Sequence, residues 1–170
     1  LVETAEIHPE FGVLSPLQMT DGYRGVDLQF SKILRCAQND RDAQNDRDAQ
    51  NDVEAQSDRE VVEVKRVMAA HWLMSVAAIR RVGLFDETLF PHWGQDDNWC
   101  DRSRFYGFKV GIVPGARAVH DRTYRKEPLE VLVKRNYYTG SLSRLCNPSR
   151  PLGAAFLFVL LFTFVKALKY

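Results

Sequence analysis

The densest group of side chains able to do chemistry is His92-Trp93-Gly94-Gln95-Asp96-Asp97-Asn98-Trp99, followed by Cys100, Asp101 and Arg102. Adjacent residues at a helix start point in different directions, so one carboxylate can cap exposed backbone N–H groups while its neighbour projects into a cleft. A projecting Asp held within hydrogen-bond reach of a hydroxyl can accept its proton as a general base. Trp93 offers the flat apolar face with which pockets orient ligands. The same residues also read as one N-cap, one surface carboxylate and two core aromatics. His120 follows two apolar residues at a strand end; neutral imidazole is a common metal ligand, but one His makes no metal site. Ala69-Ala70, ahead of His71-Trp72, is small enough for either a ligand or another element to approach the backbone. No GxxxxGK[ST], GxGxxG or HExxH pattern is present, so a P-loop, a dinucleotide fingerprint and a zincin are unsupported.

These side chains need elements to hold them. Residues 2–6 read as a helix tail, and 11–15 as a short apolar strand stopped by Pro16. Val61, Val62, Val64, Val67 and Met68 with interleaved charges predict a second strand. Ser75 is placed to cap a helix over 76–82 that Gly83 ends. A loop with two aromatic anchors, Phe85 and Phe90, leads to a helix capped by Asp96 or Asp97 and stopped at Gly107. Residues 110–113 predict a strand ended by Pro114-Gly115, and 118–120 another. Helical spacing returns over 129–145, with Leu129, Leu132, Val133, Tyr137 and Leu145 largely on one side, until Pro148 and Pro151 break it. Residues 152–165 carry no charge. That run is shorter than the roughly 20 residues a bilayer crossing needs, which predicts a buried or membrane-surface helix.

The chain has 170 residues, 45% of them hydrophobic and 26% charged, the composition of one globular domain. With 23 Lys plus Arg against 22 Asp plus Glu the net charge is +1, so no nucleic-acid partner is expected. The charge is unevenly placed: residues 1–121 carry 14 basic and 20 acidic side chains, residues 122–170 carry 9 and 2. Cys36, Cys100 and Cys146 are widely spaced and form no CxxC pair, which fits a reducing, cytoplasmic setting. The start of the chain lacks the features of a secretory signal, and its missing Met suggests a piece of something longer. From Arg35 the text becomes repetitive, RCAQND, RDAQND, RDAQND and VEAQSD. A six-residue period matches neither helix nor strand, so residues 36–58 read as a solvated, disordered insertion.

The ordered run MAAHWLMS, then AAIRRVGLFDETLFPHWGQDDNWCDRSRFYGFKVGIVPGARAVHD, resembles the second half of the inverting family-2 glycosyltransferases, rhamnosyltransferase-like members among them. Their pattern is a small-residue and Trp segment, then G-F-D-E with an aromatic, a carboxylate pair opening a helix, and a strand with VP and a terminal His. The resemblance spans about residues 61–121, and GVLSPLQ within 10–30 resembles the preceding strand. It implies an α/β, GT-A-type fold truncated at its N-terminus, with C-terminal helices: residues 1–121 as the domain portion, interrupted by the 36–58 repeats, and 122–170 as a basic and apolar tail.

By position, the resemblance implies Asp96 as catalytic base with Asp97 the nearest substitute. It implies Trp72 and Trp93 as acceptor-side aromatics, Ala69 and Ala70 beside the donor sugar, and His120 helping to hold a divalent metal, Mg²⁺ or Mn²⁺. Gln95 stands where many members have Glu, and Asn98 where many have a second Asp. The implied partners are a nucleotide-sugar donor and a saccharide or lipid-linked acceptor in cell-surface polysaccharide synthesis. The tail would lie peripherally on the inner membrane face. The family's Asp-x-Asp motif follows an apolar strand, whereas Asp40-Arg41-Asp42 and Asp46-Arg47-Asp48 belong to the repeats. The chain is therefore expected to be an acceptor and base half. Two rivals remain at this point: a non-catalytic remnant or carbohydrate-binding module, and a metal-dependent hydrolase built on Asp96, Asp97 and His120.

Overall fold

A computed structural model describes residues 1–19, 61–120 and 128–167, with side chains to 165. The repeats at 36–58 and the first part of the tail lie outside the described residues. The fold is mixed α/β around an open four-stranded sheet in the order β2-β4-β1-β3. A short helix α1 (Val2–Ile7) precedes the central strand β1 (Phe11–Met19), every residue of which is buried. Burial on both faces explains why β1 shows no apolar and polar alternation. β1 pairs in parallel with β4 (Lys109–Val119), and the short strands β2 (Val62–Glu63) and β3 (Leu73–Met74) add antiparallel edges.

Two expectations about the strands are corrected, for one reason. β1 does not stop at Pro16, and the two strands expected over 110–113 and 118–120 are one strand, Lys109–Val119. Along the β1–β4 pair the register jumps from Pro16 opposite Val113 to Leu17 opposite Arg117. Extra residues on β4 bulge out there, Pro114-Gly115 among them, and a bulge is where a sheet tolerates a proline that has no N–H to give. The strand expected over residues 61–68 is also shorter. Only Val62 and Glu63 pair with β4, although the Val64 N–H still reaches the Val110 carbonyl at 2.9 Å.

Helices α2 (Val76–Val82) and α3 (Gln95–Phe105) cover one face of the sheet. The core there joins Val13, Leu17, Val62, Val67, Val110 and Ile112 to Ala78, Trp99 and Cys100. Trp99 is fully buried and its indole N–H donates to the Gly83 carbonyl at 2.9 Å, so the largest core side chain is also satisfied as a polar one. Leu1 and Ala5, at the α1 end of the chain, pack on Phe11, Leu14 and Val113 from the opposite face.

The helix expected over 129–145 divides into α4 (Leu129–Asn136), a π-helical stretch (Tyr137–Leu142) and a final turn, α5 (Ser143–Leu145). Side chains accompany the widening. The Thr139 hydroxyl donates to the Arg135 carbonyl at 2.8 Å, and the Arg144 guanidinium donates to the Gly140 carbonyl at 2.6 Å. The last helix, α6 (Leu152–Ala167), lies against this stretch. Of the two placements expected for it, the buried one is overturned, since most of its large apolar side chains face outward.

Candidate functional site

The local sequence fixes where α3 begins. The Asp86 carboxylate accepts the backbone N–H groups of Thr88 and Leu89 at 3.1 and 2.9 Å, and Phe90 is buried, so the approach to α3 is anchored. The N-cap is Gly94, in the left-handed region with φ of 82°, and not Asp96 or Asp97. A Cβ at Gly94 would lie 3.0 Å from the Tyr138 carbonyl oxygen and 3.2 Å from Phe90 Cδ1, so both conformation and close packing require glycine there. Asp96 and Asp97 consequently sit inside the first turn, where the unpaired amides and the helix dipole favour negative charge.

The two carboxylates meet different surroundings. Asp96 is half-buried and its Oδ1 accepts the Asp97 backbone N–H at 2.9 Å. Asp97 faces Arg66, whose Nη1 lies 3.4 Å from Asp97 Oδ2. Burial pushes the Asp97 carboxyl up to about 6, with Asp96 and Asp101 adding repulsion and Arg66 pulling the other way. One helical turn on, Asp101 is 3% exposed and accepts from Arg66 through both oxygens, the Nε contact measuring 3.0 Å. Asn147, beyond α5, donates a further hydrogen bond to Asp101 Oδ2 at 2.7 Å. Burial works against the Arg66 charge, but Asp101 and Asp97 outweigh it and hold the guanidinium above its ordinary pKa. The buried charges are thus paired, as their removal from water demands.

Ser103, near the end of α3, lies against Gly12 at the start of β1. α3 therefore runs back along the parallel pair, and its first turn sits toward the carboxyl ends of β1 and β4, where ligands bind in open α/β sheets. At that end the His120 N–H meets the Met19 carbonyl at 3.3 Å, and the His120 ring is 6.4 Å from that of His71 in an edge-on pair. The turn holding Ala69 and Ala70 is thereby brought beside His120. Trp93 is half-buried, its ring 6.1 Å from Tyr138. Trp72 is turned toward the core. Its ring centre lies 5.7 Å from Trp99 and 5.6 Å from Phe85, and its N–H donates to the Met68 carbonyl at 2.7 Å, leaving a partly exposed ring without its polar handle.

Among the described residues no three His, Cys, Asp or Glu side chains gather as a metal-binding group. His71 and His120 supply two imidazoles, and the described residues do not by themselves fit the divalent-metal site that the family resemblance implies.

Arg66, Asn147, Arg144 and Tyr138 complete the surroundings of the first turn and were not anticipated from the sequence; Asp101 was visible beside the pair, its partners were not. A signal existed for Arg66, because alternation through buried Val62 and Val64 puts position 66 on the inward side, where a cation requires an anion. Asp97 and Asp101, four apart on one helix face, are that anion pair. Comparison with protein-family models and with curated proteins gives no match for the chain.

Proposed function

We propose that this chain is the acceptor- and base-bearing portion of an inverting glycosyltransferase of GT-A type, which transfers a sugar from a nucleotide-sugar donor to a saccharide or lipid-linked acceptor in surface polysaccharide synthesis. The observation that carries the reading is the carboxylate pair in the first turn of α3, at the carboxyl ends of a parallel strand pair and next to the half-buried Trp93.

In this reading Asp96 is the base. Its Oδ1 is tethered to the Asp97 amide, which fixes the orientation of the side chain, and it accepts the proton of an acceptor hydroxyl. The hydroxyl oxygen forms a bond to the anomeric carbon as the bond to the diphosphate oxygen breaks on the opposite side, and a single displacement inverts the centre. Trp93 orients the acceptor ring. Asp97 and Asp101 grip Arg66 beneath the turn and keep Asp96 in place. The resemblance also implies Mg²⁺ or Mn²⁺ on the diphosphate; no step assigned to these residues passes through it.

The tether favours one alternative, a carbohydrate-binding module in which Asp96 only satisfies an amide. Asp96→Asn separates the two, because an amide oxygen keeps the tether and loses the base. In a form joined to an N-terminal half bearing Asp-x-Asp, this variant is expected to bind donor normally and to transfer at least about 100-fold more slowly. Unchanged turnover overturns Asp96 as base. Calorimetric titration of the wild-type chain with saccharide acceptors that shows binding, with no transfer in the joined form under any donor, favours the module.

A further inference from the structure

We infer that the outward face of α6 is a docking surface for an anionic lipid bilayer, on which the helix lies along the interface. α6 touches the rest of the protein through Ala155, which is buried, and through Val159 and Phe162, which are half-buried. A Cβ at Gly140 would lie 2.7 Å from Phe162 Cε1, and the Arg144 guanidinium sits 4.6 Å over the Phe158 ring. These contacts occupy one stripe. The remaining arc presents Phe156, Leu157, Leu160, Leu161, Phe164 and Val165, each more than half exposed. Thr163 is the only polar side chain between Leu152 and Val165. A helix apolar all round needs cover on every side, and the protein supplies one side.

Charge identifies what covers the other. Lys134 is paired with Glu130 at 2.7 Å, but from position 135 to position 170 the sequence has five Lys and Arg residues and no Asp or Glu. Arg150 is exposed just ahead of α6. A second copy placed face to face would bring two such cationic segments together without an anion in either to offset them. An anionic leaflet matches both the apolar arc and the cations beside it. The 16 described residues of this helix rise about 24 Å, less than the roughly 30 Å of a hydrocarbon core. Among the described residues no helix is long and apolar enough to cross a membrane.

The docked stripe also connects the bilayer to the candidate site. α6 leans on the π-helical stretch, whose Tyr138 ring faces Trp93 and whose carbonyl lies over Gly94. The binding surface stands independently of the glycosyltransferase reading; only its bearing on a lipid-linked acceptor rests on that reading.

The test is co-sedimentation of the 170-residue chain with vesicles of phosphatidylcholine alone and of phosphatidylcholine with phosphatidylglycerol. The wild type is expected to pellet with the anionic vesicles, more weakly with the neutral ones, and less as salt rises. Combined Phe156→Ser, Leu160→Ser and Phe164→Ser removes only outward side chains and should weaken binding at least about tenfold, with the circular-dichroism melt retained. Arg150→Glu, a second variant that leaves the apolar arc whole, should weaken anionic-vesicle binding about fivefold or more. Equal binding to both vesicle types overturns the anionic surface, and unaltered binding by the triple variant overturns α6 as its site. Failure of the wild type to bind, with a dimer in sedimentation velocity that the triple variant dissolves, overturns the bilayer in favour of a second copy.

Discussion

Replacing Asp97 by asparagine keeps the side chain's size and removes a charge that the fold holds at a cost. Burial raises this carboxyl from its ordinary 3.8 to about 6, a shift of about two units that already includes the attraction of Arg66. At about 1.4 kcal/mol per unit, the ionised form is disfavoured in the folded state by at most about 3 kcal/mol. The sign follows from proton counting. Between about pH 4 and pH 6 the folded chain keeps a proton that the unfolded chain has lost, so this group's contribution to stability falls as pH rises through that window and is fully unfavourable above about 6. Asp97→Asn is therefore expected to melt at the same temperature as wild type near pH 4 and several degrees higher near pH 8, on a scale of about 2–4 °C per kcal/mol for a chain of this length. Thermal melts followed by circular dichroism at both pH values measure it. A variant that melts lower than wild type at pH 8 would show that pairing with Arg66 outweighs desolvation, and would refute the electrostatic account of the first turn.

The neighbouring Asp101 should behave in the opposite way: Asp101→Ala leaves Arg66 and Asn147 facing a void and is expected to cost about 3–5 kcal/mol in urea denaturation. Trp99→Ala empties the centre of the core and frees the Gly83 carbonyl, and is expected to cost about 3–5 kcal/mol by the same measurement. Burial raises the Cys100 thiol far above the range where it ionises near neutrality, so Cys100 should resist a thiol reagent at pH 8 until the chain unfolds, whereas half-buried Cys146 should label before it; mass spectrometry of the labelled peptides reads both.

The sequence made the order of the elements legible because helix stops and strand runs carry local chemistry. Gly83 ends α2, Pro148 and Pro151 separate α5 from α6, and the apolar run before Pro16 marks β1. What it concealed depends on pairing between distant segments. Pro16 and Pro114 are breakers in isolation, and only the bulge between β1 and β4 shows why one sheet absorbs both. The division of the tail helix at Tyr137 likewise involves Thr139, Gly140 and a ring arriving from α6, a contact that helical spacing cannot reveal. The carboxylate pair was visible as a pair, yet the difference between its members was not. It comes from Arg66, 31 positions ahead of Asp97, entering from the segment that follows β2.

That long-range contact ties the tail to the candidate site through one buried side chain. Asp101 receives Arg66 from the sheet side and Asn147 from beyond α5, while Asp97, one turn earlier, shares the same guanidinium. A buried carboxylate with several donors is rigid, because releasing any one leaves charge or polarity unsatisfied in a medium that screens poorly. The first turn of α3 therefore takes its position jointly from the sheet and from residues 128–150, and Tyr138 over Gly94 adds steric closure to that electrostatic one. The described part of the basic and apolar tail is accordingly a wall of the candidate site as well as the base on which α6 is mounted, so the surface that α6 offers outward and the carboxylates that α3 offers inward are held by the same few contacts.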